Sequence, residues 1–133
     1  MNTDEEIDTL KKVLRELRRN GKILIAILYG SYAKGISHVR SDLDLALYPK
    51  AKNSREEIEI IDKILMSIER DISILRLDDE DESPFVVQEA LKGIHLIEPD
   101  QETLYSLSHR TLHECEDIRL RRRLKALDSS GKG

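Results

Sequence analysis

Apolar residues fall along the chain in two rhythms. In residues 3–20, Ile7, Leu10, Leu14 and Leu17 recur every three or four positions with Val13 beside them, which predicts an amphipathic helix. Thr3 and Glu6 stand at capping-box spacing, and Gly21 is placed to end the helix. Residues 23–29, ILIAILY, are apolar without interruption and closed by Gly30, the pattern of a buried central strand. From Leu43 to Tyr48 the rhythm is two: Leu43, Leu45 and Leu47 share one face of a strand, and Asp42 and Asp44 share the other. Helical spacing returns over 55–69, with Ile58, Ile61, Leu65 and Ile68 as the expected core stripe, Ile64 widening it, and Ser54 with Glu57 as a second capping box. Residues 71–77 predict a third strand. Ser83-Pro84 starts a helix over 84–92 that stops at Gly93, and Ile94–Ile97 is a short fourth strand closed by Pro99. A long helix is expected over 101–125, with Leu104, Leu107, Thr111, Cys115 and Ile118 facing inward. One domain covers residues 1–127, and 128–133 are expected to form a disordered tail.

Helices and strands alternate in this reading, so the chain predicts a sheet with helices packed against it. The alternation by itself suggests a parallel, doubly wound sheet.

The chemistry concentrates between the first two strands. Gly30-Ser31 forms a tight turn, expected to open a short helix through about Lys34, with Gly35 ending it. A helix N-terminus offers free N–H groups and a positive dipole end, which suits phosphate, and Gly30 lets backbone approach a ligand closely. Ten residues separate Ser31 from Asp42. Asp42 and Asp44 lie about 6.6 Å apart along their strand. Carboxylates converging at that spacing suit divalent cations, and magnesium prefers one or two carboxylates plus substrate phosphates.

Gly30-Ser31, ten residues, then Asp42-x-Asp44 resembles the signature of the DNA polymerase β-like nucleotidyltransferase superfamily, and the short chain resembles its minimal nucleotidyltransferase (MNT) branch. The likeness covers about residues 20–98 and implies an α+β fold with a mixed sheet of about four strands. It implies that Ser31 and nearby N–H groups bind the terminal phosphates of a nucleotide. The family often carries Arg where this chain has Lys34; lysine still binds phosphate, as a point charge, but also fits a solvated surface. Arg40 is a further phosphate candidate from the loop. The superfamily places a third carboxylate on a neighbouring strand, and Asp71 begins such a strand, with Asp62 and Asp78 as alternatives. The implied cofactor is Mg²⁺ held by Asp42, Asp44 and Asp71, with ATP as donor. Members of the branch are often paired with HEPN-domain toxins, so the resemblance implies an antitoxin that transfers AMP to a tyrosine of a partner HEPN ribonuclease. Two other readings stay open: an antitoxin that silences its partner by contact alone, and nucleotidyl transfer to a small molecule.

Composition narrows the picture. The chain has 133 residues, 36% of them charged, and a net charge of −4, so bulk electrostatics do not favour nucleic acid. There is no Trp and aromatics are only 4%, which leaves no evident platform for stacking bases. A single cysteine, Cys115, excludes an intramolecular disulfide and reads as a small core residue. With no long apolar run, a cytoplasmic location is expected. His109 and His113 have zinc-binding spacing but no third ligand, so a solvated helix face is expected. The basic run Arg119–Arg123 and the acidic loop 78–82 are candidate edges for a partner.

Overall fold

The computed structural model describes residues 2–35 and 42–130. Its elements run α1 (Thr3–Arg19), β1 (Ile23–Tyr29), β2 (Leu43–Pro49), α2 (Ser54–Leu65), β3 (Ile72–Arg76), α3 (Pro84–Leu91), β4 (Ile94–His95) and α4 (Gln101–Ser130). The four strands form one sheet in the order β3-β2-β1-β4. β1 is antiparallel to β2, from Ile23↔Pro49 to Tyr29↔Asp44, and antiparallel to β4; β2 and β3 are parallel, from Leu43↔Ile72 to Leu47↔Arg76. The sheet is therefore mixed, as the family likeness implies and the bare alternation of elements does not. β1 is apolar throughout because it lies between two strands with helices over both faces.

Strand alternation divides the core in two. Leu43, Leu45 and Leu47 pack with Leu10 and Leu14 of α1 and with Ile60 and Ile64 of α2. Ala46, on the opposite face, packs with Ile25, Ile27, Val87 and Ala90 of α3, and Leu107 of α4. Asp44 shares the alternation of Ala46, so the acidic face of β2 is the one that α3 and α4 cover.

Several local expectations are corrected. Both early helices start one residue sooner: Asn2 caps α1 through the Glu5 N–H at 2.8 Å, and Asn53 caps α2 through the Glu56 N–H at 2.9 Å. Asn is as good a cap as Ser or Thr, and here it comes first. The stripe of α2 is borne out in part: Ile64 and Ile68 are buried and Ile61 packs against the same cluster, but Ile60 is buried in place of Ile58, which is 59% exposed, and Leu65 is exposed as well. Ion pairs lie along that inward face. Glu56 bonds Lys22 at the start of β1 and Glu57 bonds Arg76 of β3, with positions 56, 57, 60 and 64 all turned toward the sheet. α2 also ends at Leu65, short of the expected 69. α4 buries Leu107, Thr111 and Cys115 along the expected stripe. It continues through Asp128 to Ser130, part of the expected tail, and 131–133 lie outside the described residues.

Candidate active site

The site forms where β1 ends and β2 begins. Gly30 closes β1 with φ +75°, a left-handed conformation that disfavours other residues. A Cβ at this position would also overlap the Asp44 carboxylate Oδ2. Glycine is thus required twice, by the turn and by the approach of Asp44 to the backbone.

Residues 30–35 form a turn and not the short helix expected: the Lys34 N–H bonds Gly30 O at 3.2 Å, and the Gly35 N–H bonds Tyr32 O at 3.0 Å. Gly35 at φ +74° reverses the chain before a second helical turn can form. These two bonds use the N–H groups of Lys34 and Gly35, so those of Ser31, Tyr32 and Ala33 take no part in them. Ser31 is partly exposed on this turn. Arg40 and Ser41 lie outside the described residues.

Asp42 and Asp44 are brought together on one face of β2. Asp42 is exposed and accepts a hydrogen bond from the Ser73 hydroxyl at 3.3 Å. Asp44 is partly buried, and its carboxyl is held above the usual carboxylate range, first by burial and then by the negative charge of Asp42. Among the described residues no cation enters as a cause of this shift. Among the described residues the pair is therefore short of positive charge, and that, together with hard oxygen donors, fits a divalent metal ion.

Asp71 sits one residue ahead of β3, and its carbonyl accepts from the Leu43 N–H at 3.0 Å. Continuing the parallel register back by one residue aligns Asp71 with Asp42. Its side chain is exposed, and among the described residues it does not join Asp42 and Asp44 in a group of three metal ligands. Of the alternatives, Asp78 is engaged by Arg76 at 2.8 Å, and Asp62 is exposed on α2.

Two residues absent from the sequence expectations border the turn. Tyr29 lies across from Asp44 in the β1–β2 ladder. Its phenol is pushed above its usual value by burial, then by the charges of Asp44 and Glu82. Its place directly before Gly30 was the available signal. Lys92 follows α3 and joins Tyr29, Gly30, Ala33, Lys34 and Glu89 around a cleft of about 200 Å³. Gly93 allows this, because a Cβ there would overlap the Leu28 carbonyl, so the end of α3 lies directly on β1. Lys34 is exposed at the same cleft and pairs with Glu89 at 3.8 Å. A larger cleft of about 450 Å³ lies at the other end of β2, between Tyr48 and α4, and none of the expected site residues lines it. His109 and His113 are both exposed on α4, their rings 5.5 Å apart.

This constellation, two carboxylates facing a glycine-serine turn on a mixed sheet, is that of a nucleotidyltransferase. The family model of the polymerase beta nucleotidyltransferases matches residues 11–102, and the chain belongs to that family. No curated protein sequence matches it significantly. Solved structures share the fold at low identity. A toxin–antitoxin crystal structure with AMP-PNP is 20% identical, with a TM-score of 0.65, over 89% of this chain and 96% of its own. The MntA–HepT toxin–antitoxin is 18% identical, with a TM-score of 0.60, over 90% and 95%. A complex of tri-AMPylated Shewanella oneidensis HEPN toxin with its MNT antitoxin is 18% identical, with a TM-score of 0.61, over 92% and 97%. Among the described residues no helix is long and apolar enough to cross a membrane.

Proposed function

We propose that this chain is an MNT antitoxin that uses ATP to adenylylate a tyrosine of a HEPN-domain toxin. The observation that carries the reading is the pair Asp42 and Asp44, which add to each other's negative charge and are set against the Gly30-Ser31 turn. Support comes from the family match and from solved neighbours of this fold described as toxin–antitoxin complexes, one with AMP-PNP and one with an AMPylated toxin.

In this reading Asp42 and Asp44 would hold Mg²⁺, and Asp71, one residue ahead of β3, would have to swing toward them to serve as a third ligand. When bound, magnesium neutralises the triphosphate and stabilises the entering and leaving oxygens. The Ser31 hydroxyl and the free N–H groups of its turn hold the terminal phosphates. Lys34 and Lys92 border the cleft and balance phosphate charge. Asp71 accepts the proton of the acceptor hydroxyl, which attacks the α-phosphorus; an O–P bond forms, the bridging P–O bond breaks and pyrophosphate leaves. The cleft beside the turn is small, so in this reading a docked partner supplies the acceptor surface and orients the tyrosine for in-line attack.

The test is to incubate the protein with Mg-ATP and the product of the adjacent gene and to weigh that product. Each AMP transferred adds about 329 Da. The gain should map to tyrosine and vanish with Asp44→Asn. A neighbour that stays unmodified yet is still silenced by Asp44→Asn would show inhibition by contact, and labelling of a small molecule instead would move the acceptor class.

A further inference from the structure

β3 meets the carboxylate pair of β2 through Ser73. In the parallel register Ser73 stands beside Asp44. Its two neighbours, Ile72 and Ile74, pack with Leu43 and Leu45, whereas Leu75 packs with Ala46 on the opposite face. Alternation therefore turns the Ser73 side chain to the face that carries Asp42 and Asp44. There its hydroxyl donates to Oδ2 of Asp42 at 3.3 Å. The two aspartates are held in different ways. Asp44 lies inside β2, partly buried and close against the Gly30 backbone. Asp42 is exposed and stands one residue ahead of the strand, and among the described residues Ser73 is its hydrogen-bond partner.

We infer that Ser73 is a positioning residue of the metal site: its hydroxyl aims the Asp42 carboxylate and so sets the affinity for a divalent cation. The inference rests on the reading of Asp42 and Asp44 as metal ligands. Magnesium demands near-ideal octahedral geometry, so a ligand free to turn about its side-chain bonds binds it poorly. A donor on Oδ2 limits that freedom and leaves Oδ1 to face the metal. Serine suits the task because it is neutral. A lysine or arginine at this position would orient Asp42 equally but would cancel the charge that attracts the metal. The bond at 3.3 Å is longer than the usual hydroxyl bond of about 2.7–2.8 Å, which leaves Asp42 room to close on an ion. Asp71 aligns with Asp42 two positions earlier, yet among the described residues it does not join the pair. A serine that merely faced solvent from the edge strand would need neither this register nor this bond.

Calorimetric binding of AMP-PNP to the full chain, with Mg²⁺ and again with EDTA, isolates the metal's share of the affinity. Ser73→Thr keeps the hydroxyl, and Ser73→Val has the same bulk without it. Ser73→Val should lose about tenfold in affinity with Mg²⁺, the cost of removing an outer-shell partner, and nothing with EDTA. Ser73→Thr should stay close to the parent in both. Both variants should melt like the parent without metal, because the side chain is exposed. In transfer assays Ser73→Val should need more Mg²⁺ to reach half its maximal rate, and should recover the parent's kcat once Mg²⁺ saturates. Ser73→Asp checks the placement: a third carboxylate beside the pair should lower the Tm of the metal-free protein and enlarge its rise with Mg²⁺. Ser73→Val binding Mg-AMP-PNP as tightly as Ser73→Thr overturns the inference, and so does a loss in Ser73→Val that persists in EDTA. A parent whose affinity is the same with Mg²⁺ and with EDTA defeats the metal reading of Asp42 and Asp44 itself, and the inference with it.

Discussion

Glu6 and Asp44 are both carboxylates withdrawn from solvent, and the fold treats them in opposite ways. Glu6 of α1 is buried and meets Arg70 at 3.3 Å, with both side chains less than a tenth exposed. Arg70 also donates to the Thr3 hydroxyl at 3.0 Å, so the start of α1 is tied to the chain just ahead of β3. Among the described residues Asp44 has Asp42 for its charged neighbour, and its carboxyl is raised by burial and by that neighbour's charge. A carboxylate that serves the fold is given a cation from the chain. One kept without a cation has been left for a ligand to neutralise. The contrast predicts where stability and activity separate.

The largest effect should come from breaking the buried pair. Glu6→Gln leaves the Arg70 guanidinium buried without its counter-charge, and its Nη1 already has no partner among the described residues. Removing one member of a buried pair costs about 3–5 kcal/mol. For a chain of this size that is a fall in Tm on the order of 10 °C. Calorimetry should show this drop, whereas kcat/KM measured well below the new Tm should fall little. If the variant melts like the parent, the pair is not holding α1 to β3.

Asp42→Asn and Asp44→Asn should do the reverse. Each removes a negative charge from the proposed metal site, and transfer should fall about a hundredfold or more, equivalent to about 2.7 kcal/mol in the transition state. Folding should not suffer. The pKa of Asp44 is raised on folding, so its stabilising contribution is full below the unfolded value near 3.8 and is lost as pH rises through the folded value. At neutral pH Asp44→Asn should therefore melt at or above the parent. Asp71→Asn sharpens the assignment, because it should lower kcat while leaving ATP binding largely intact. Unchanged turnover there, with the loss appearing at Asp62 or Asp78, would relocate the third carboxylate. Near-normal transfer by both Asp42→Asn and Asp44→Asn would end the metal assignment.

How much of this was legible in the sequence follows from the range of each interaction. The acidic face of β2 was readable because strand alternation is local: once Leu43, Leu45 and Leu47 are inside, Asp44 has one direction left. The mixed topology was carried by the resemblance, since alternating helices and strands fit a parallel sheet equally well. The buried stripe of α2 was only partly readable. Its isoleucines support two overlapping stripes, and Ile60 rather than Ile58 packs on the sheet, on the side where Glu56 and Glu57 meet Lys22 and Arg76, which are distant in sequence. The Glu6–Arg70 pair was hidden for the same reason. Lys92 was hidden because Gly93 reads as a helix stop, while its contact with Leu28 depends on the packing of α3 against β1. The turn at 31–35 was overcalled as a helix, because Gly35 was read as an end signal and not as a reversal within the first turn.

The smallest effect should be the gain in stability on adding Mg-ATP, and its pH dependence tests the contrast most finely. A ligand at ten times its Kd stabilises by about 1.4 kcal/mol, a rise in Tm of several degrees. Metal binding needs Asp44 ionised, and its raised pKa means that protons compete over a window that begins above 3.8, the ordinary value for an aspartate. The Mg-ATP shift should therefore shrink on acidification sooner than an unperturbed aspartate would allow. Asp42→Asn should move that window down, because the charge of Asp42 is one cause of the raised value and its removal leaves burial alone. The Glu6–Arg70 pair lies outside this site, so an exposed control such as Asp8→Asn and the buried-pair variant Glu6→Gln should both retain the parent's pH profile for the shift. A profile that moves with Glu6→Gln but not with Asp42→Asn would mean that Asp44 does not govern binding. The distinction between a carboxylate held by the chain and one left for a ligand would then fail.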